Sequence, residues 1–204
     1  MTPTTIEPVT LGDELEAWLS GDGEKTLGSL IQAFGDKSFA ILFVLLLGVP
    51  ALPLPTGGAT HLFEVIAALI ALELIAGRHE VWLPKRWRGL GLAGEKQQKF
   101  VGSLLGLIRR LERISRPRAA FLFRRRFSDI VFGLFVISGA VAAFFAPPFT
   151  GLDTLPAMGV VLLSLAVLLE DALIAGVAML VAIVGVVLEL ALGAAAIHGI
   201  SAIL

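Results

Sequence analysis

Two kinds of hydrophobic pattern alternate along the chain. From Leu11 to Phe34 apolar residues recur at helical spacing: Leu11, Leu15, Trp18 and Leu19, then Leu27, Leu30, Ile31 and Phe34. The run SGDGEK at 20–25 interrupts them, which predicts two short amphipathic helices. Phe39–Val49 and Leu62–Ala76 are apolar all round, and between them stands a stretch rich in Pro and Gly. Leu83–Gly94 reads as a loop. Glu95–Arg116 returns to the amphipathic pattern, with Phe100, Leu104, Leu107, Ile108, Leu111 and Ile114 on one face, until Pro117 interrupts it. Phe127–Ala146, Leu155–Leu169 and Ala172–Leu204 are again apolar, the first ended by Pro147 and Pro148.

A bilayer core about 30 Å thick takes roughly 20 apolar residues per helical crossing. The uncharged runs 130–152, 154–169 and 172–188 therefore predict a polytopic α-helical membrane protein. At 1.5 Å per residue, Phe39–Val49 makes only about 16 Å of helix. Two structures fit the break that follows: complete crossings joined by a short turn, or a re-entrant hairpin, the form that such lengths favour. Backbone left unpaired at membrane depth must be covered by protein or line a wet cavity. Pro50, Pro53 and Pro55 lessen that need by lacking N–H donors, and Gly57 and Gly58 permit tight turning. The break is then either a plain reversal or a polar site lined by carbonyls and a helix N-terminus.

The halves resemble each other. GEKTLGSLIQAF at 23–34 is similar to GEKQQKFVGSLLGLI at 94–108, PLPTGG at 53–58 to APPFTGLD at 146–153, and LELIAG at 72–77 to LEDALIAG at 169–176. The expected architecture is all-α: two tandem repeats of an amphipathic helix plus a Pro/Gly-broken membrane hairpin, with one additional C-terminal membrane helix. As one membrane domain over 1–204, it divides into an N-terminal segment (1–22), repeat 1 (23–77), a basic loop (78–93), repeat 2 (94–176) and the remainder of the last helix (177–204). Repeats of this kind recur in transporters, where broken segments meet near the substrate site.

Charge adds a direction. Residues 1–77 hold two Lys against nine Asp or Glu (−7), and residues 78–126 hold fourteen Lys or Arg against three Glu (+11). Residues 127–204 hold five carboxylates and no Lys or Arg. The positive-inside rule then places 78–126 in the cytoplasm of an inner membrane, where basic side chains attract anionic headgroups. No nucleic-acid motif accompanies the cluster, so nucleic acid is not an expected partner. The acidic start lacks the pattern of a cleavable signal peptide. With no cysteine, thiolate chemistry and disulfides are excluded.

The break itself supplies candidate path residues: Pro53, Pro55, Thr56, Gly57 and His61, with Pro147 and Pro148 from the second break. Glu64 and Glu73 stand in the apolar segment after the first break, and Glu73 and Glu170 occupy matching places in the proposed repeat. Carboxylates in apolar segments face cavities, pair or stay protonated. On that ground Glu73, Asp171 and Glu189 join the candidate ion or solute path. All but Glu189, whose segment offers no turn, have a plainer reading: Glu73 at the rim beside Arg78, Glu170 and Asp171 in a turn, His61 as a hydrogen-bonded cap. Arg78, Glu112, Arg113, Arg116 and Arg118 form either a lipid-facing basic belt or a lock in which Glu112 or Asp171 pairs with an arginine. No His pair has metal-ligand spacing and no catalytic or phosphate-binding motif is present, so neither a metal, a cofactor nor an enzymatic activity is expected.

GVPALPLPTGG at 48–58, GRHEVWLP at 77–84, RLERISRPR at 110–118, LPA at 155–157 and LEDALIAG at 169–176 resemble the ExoD family of bacterial exopolysaccharide synthesis. The sequence departs from that pattern at Glu73, where Gln is common, and at Ala172, where Gly is common. The resemblance implies an inner-membrane protein of exopolysaccharide production or export. A small-ion or polar-solute transporter is the leading expectation; the alternative is a scaffold recruiting glycan-synthesis enzymes or anionic lipid. The Gly/Ala-rich last segment, with Gly176, Gly185 and Gly193, suits close helix packing, including a homo-oligomer.

Overall fold

The computed structural model describes residues 10–52, 60–92, 94–116, 118, 120–123, 125–146 and 154–201. Pro53, Pro55, Thr56, Gly57, Pro147 and Pro148 lie outside the described residues. The regular elements are helices, in chain order α1 (Leu11–Ser20), α2 (Leu27–Phe34), α3 (Ser38–Leu47), α4 (His61–Ala76) and α5 (Lys85–Arg88). There follow α6 (Glu95–Ile114), α7 (Ala120–Phe123), α8 (Arg126–Phe145), α9 (Thr154–Leu168) and α10 (Ala172–Ser201). Among the described residues no strand forms; Thr26 and Gly91 make one isolated bridge. Two compact units interleave along the chain: Met1–Phe34 with Leu83–Arg116, and Gly35–Trp82 with Pro117–Leu204.

The first unit is built from the amphipathic helices. Leu11 and Leu15 of α1 are buried, as are Val101, Leu104 and Ile108 of α6, and these two helices pack together. Thr10 and Asp13 close α1 with reciprocal hydrogen bonds of 3.2 Å, a capping box. The Thr10 hydroxyl and then its backbone N–H hold the Asp13 carboxyl below the usual carboxylate range, and Arg109 adds to this. Glu112 of α6 accepts the Gly12 N–H at 2.9 Å, which satisfies a donor of the first turn of α1 that has no partner within the helix. A side chain at residue 12 would lie 2.8 Å from that carboxylate, so glycine is what lets it in. Arg109 pairs with Glu16 on the same pair of helices.

The second unit carries the apolar helices. α3 packs on α4 and on α9, and α8 packs on α4 and on α9, which closes a ring of four; α10 lies along α9 and touches α8. Small residues permit the close approaches. A Cβ on Gly133 would stand 2.6 Å from Ile75 and 3.1 Å from the Ala71 carbonyl, and one on Gly159 would stand 2.5 Å from Ala182. Phe43, fully buried, meets Phe132 edge to face at 5.5 Å between ring centres. α4 ends in a Schellman closure: Gly77 takes φ +90°, its N–H reaches Leu74 O, and the Arg78 N–H reaches Glu73 O. α9 ends identically, with Glu170 at φ +52° in the glycine position and the Asp171 N–H on Ala166 O.

Three stretches are long and apolar enough to cross a membrane: Leu27–Leu47, Arg126–Phe145 and Ala172–Leu192. The outer surface of α10 agrees with a lipid surround, since Leu180, Ile183, Val187 and Leu190 are all more than half exposed.

Candidate functional site

α4 starts three residues after Gly58, the last residue of the first Pro/Gly stretch, and its first turn holds the most buried glutamate of the second unit. Glu64 is 1% exposed. Its Oε2 lies 2.8 Å from His61 Nδ1, three residues back on the same helix face. The imidazole is about a third exposed, so the pair runs from the interior toward the surface. Phe144, near the end of α8, meets it with ring centres 4.9 Å apart and the planes tilted by 51°. An apolar groove of about 180 Å³ between α4 and α8 reaches Glu64, with Val65, Ala68, Ala140 and Val141 along its sides. A carboxylate is costly to bury in such surroundings, and a hydrogen-bonded imidazole offsets part of that cost.

Both interruptions attach at this end of the ring. Residues 53–59 lead into Thr60 and α4, and residues 147–153 join Ala146 to α9. Glu189 comes to the same end from α10: Gly185, one turn earlier, faces Leu155 and Pro156 at the start of α9. One oxygen of Glu189 is buried.

The other candidates lie elsewhere. Glu73, in the last turn of α4, accepts the Trp82 N–H at 2.8 Å and fastens the chain after the helix. Asp171, 1% exposed, caps α10 by accepting the Leu173 N–H at 2.9 Å, while the Ala172 N–H reaches the Arg118 carbonyl. Arg78, His79, Asp36, Asp129 and Glu170 line a cavity of about 400 Å³ at the opposite end of the ring.

The proposed match of Glu73 with Glu170 needs correction. Superposing the two Schellman closures pairs Gly77 with Glu170, and Glu73 with Ala166. LELIAG closes one helix, whereas LEDALIAG straddles the end of α9 and the start of α10. In the proposed lock, Glu112 is engaged by the Gly12 N–H, and the arginine of α6 that pairs across to α1 is Arg109. Arg113, Arg116 and Arg118 are exposed.

The family model "Exopolysaccharide synthesis, ExoD" matches residues 11–191. The chain belongs to the ExoD family. It is 34% identical over 154 residues to "Uncharacterized protein slr1875" of Synechocystis sp., covering 76% of this chain and 72% of that one. It is 31% identical over 149 residues to "Protein ExoD" of Rhizobium meliloti, covering 72% of this chain and 62% of that one. No solved structure matches. The matched span holds every helix of the ring and the His61–Glu64 pair.

Among the residues that sequence reasoning left without a role, Glu64 is the main one. Its signal was available: a histidine three residues before a glutamate that is followed by eight apolar residues, Val65–Leu72.

Proposed function

We propose that this ExoD-family chain is a non-enzymatic membrane component of exopolysaccharide production or export that moves a small ion or polar solute, with the His61–Glu64 pair handling charge beside the two interruptions. One observation carries the reading: a 1% exposed carboxylate on a 2.8 Å imidazole contact, set in the first turn after a Pro/Gly break. The partly exposed imidazole links the buried carboxylate to the surface, an arrangement suited to passing charge along a Glu–His relay. Glu189, brought to the same end, supplies a second carboxylate.

The order of elements supports a duplicated unit over 23–77 and 94–176. In each half one helix of the first unit (α2, α6) leads to a pair in the second (α3 with α4, α8 with α9), and the interruption falls inside the pair. Equivalent helices follow one another in the same order round the ring, which supports parallel rather than inverted repeats. α4 and α9 measure about 24 and 22 Å at 1.5 Å per residue, short of a core about 30 Å thick, which favours re-entry after each break. The charge map supports an inner-membrane location with 78–126 cytoplasmic.

Purified protein in proteoliposomes is expected to pass a solute at a rate set by an imposed pH or ion gradient. Absence of flux across a panel of cations, anions and lipid headgroups removes the transport reading. The second reading, a scaffold for glycan-synthesis enzymes or anionic lipid, draws on the exposed Arg110 and Arg113 of α6. It predicts co-purification with a glycan synthase, flotation with anionic vesicles, and indifference to Glu64→Gln.

A further inference from the structure

The cavity at the far end of the ring has the composition of a binding site that the transport reading does not use. It is about 400 Å³, within the range of small-molecule sites. Its floor is apolar, drawn from all four ring helices: Phe39 from α3, Leu74 from α4, Phe132 from α8 and Leu168 from α9, each buried. Its rim is charged. Asp36 and Lys37 precede α3, Arg78 and His79 follow α4, Asp129 lies in the first turn of α8 and Glu170 follows α9.

Neither sign of charge dominates that rim. Three carboxylates face Lys37 and Arg78, with His79 3.8 Å from Asp36. Neither Arg78 nor Asp129 has an opposite charge within 4.0 Å among the described residues. A lone anion placed at Arg78 meets the carboxylates of the rim, and a lone cation placed at Asp129 meets the positive charges of Arg126 and His79. A ligand carrying both charges satisfies both residues, since the guanidinium fork suits phosphate and the carboxylate suits an ammonium.

Depth in the membrane narrows the class. All four ring helices change from apolar to charged sequence at this end, which marks the level of lipid headgroups. Phe121, Leu122 and Phe127, within two residues in sequence of the lining residues Phe123 and Asp129, are exposed apolar side chains. We propose that this cavity binds an ammonium–phosphate zwitterion of the phosphoethanolamine type, its phosphate on Arg78 and its ammonium on Asp129, with the carbon portion over the phenylalanine floor. The same chemistry arises in a phosphatidylethanolamine headgroup and in a free phosphoethanolamine.

The test uses the full chain in dodecyl maltoside. Calorimetric titration with phosphoethanolamine is expected to show binding about tenfold or more tighter than inorganic phosphate or ethanolamine alone. Arg78→Gln and Asp129→Asn are each expected to weaken it about tenfold. Arg78 is exposed, so its variant keeps the fold even if the other does not. Native mass spectrometry separates the sources. Retained dioleoyl phosphatidylethanolamine that phosphoethanolamine displaces assigns the lipid, and binding of phosphoethanolamine with no lipid retained assigns the soluble compound. Absence of binding in both arms, equal retention of dioleoyl phosphatidylglycerol, or an affinity unchanged by Arg78→Gln overturns the proposal.

Discussion

Adding one methyl group at Gly77 should cost far more than its size indicates. The residue sits at φ +90°, where an L side chain costs about 1–2 kcal/mol. The new Cβ would also stand 2.8 Å from Arg126 Nη2 and 2.9 Å from its Cζ. That guanidinium donates to the Leu74 carbonyl at 3.0 Å and to the Ile75 carbonyl, and so closes the C-terminal end of α4. Hydrogen bonds from a charged donor are worth about 1.5–3 kcal/mol, and partial exposure here favours the lower figure. Gly77→Ala is therefore expected to lose about 2.5–3.5 kcal/mol, as strain plus one displaced guanidinium. The assay is equilibrium unfolding in mixed micelles followed by tryptophan fluorescence. In an Arg126→Ala background the guanidinium is already gone, and the same substitution should cost only the strain, about 1–2 kcal/mol. Equal losses in the two backgrounds, within about 0.5 kcal/mol, would refute the assignment of Arg126 to this helix end.

Three further outcomes follow from the same geometry. Gly159→Val drives a side chain into the Ala182 backbone of α10 and should destabilise by about 1–3 kcal/mol, whereas Gly176→Val, which meets nothing within 4 Å, should be near neutral in the same unfolding assay. The Asp13 carboxyl is held below its ordinary value of 3.8, so its support of α1 is full above that value and lost as pH falls through the lower folded one. Amide exchange in Leu11–Ser20 should therefore quicken below about pH 4, and Thr10→Ala should raise the Asp13 pKa toward 3.8. Glu73→Ala frees the Trp82 N–H and should increase amide exchange at Trp82 with little loss of global stability, about 1 kcal/mol.

The helices were largely legible because their signals are local. The 3.6-residue period and the SGDGEK interruption place α1 and α2, and uninterrupted apolar runs place α8, α9 and α10 to within one to three residues. α5 and α7 escaped, since four residues are too few to display a period. The candidate site was half legible. The breaks and His61 drew attention, but Glu64 was passed over for Glu73, which stood in a tempting sequence match. That match failed because its two members lie on opposite sides of a helix end, a distinction that hydrogen bonds make and composition does not. Contacts such as Gly12 with Glu112, a hundred residues apart, carry no sequence signal at all. Nor does the cavity at the charged end, whose floor is assembled from four separate helices.

The account turns on a buried carboxylate beside a broken segment, so the decisive measurement compares two glutamates of one helix. Gradient-driven flux in proteoliposomes should fall to background in Glu64→Gln and persist in Glu73→Gln, whose amide oxygen still accepts from Trp82. Flux unaltered in Glu64→Gln, with the variant folded, would contradict it.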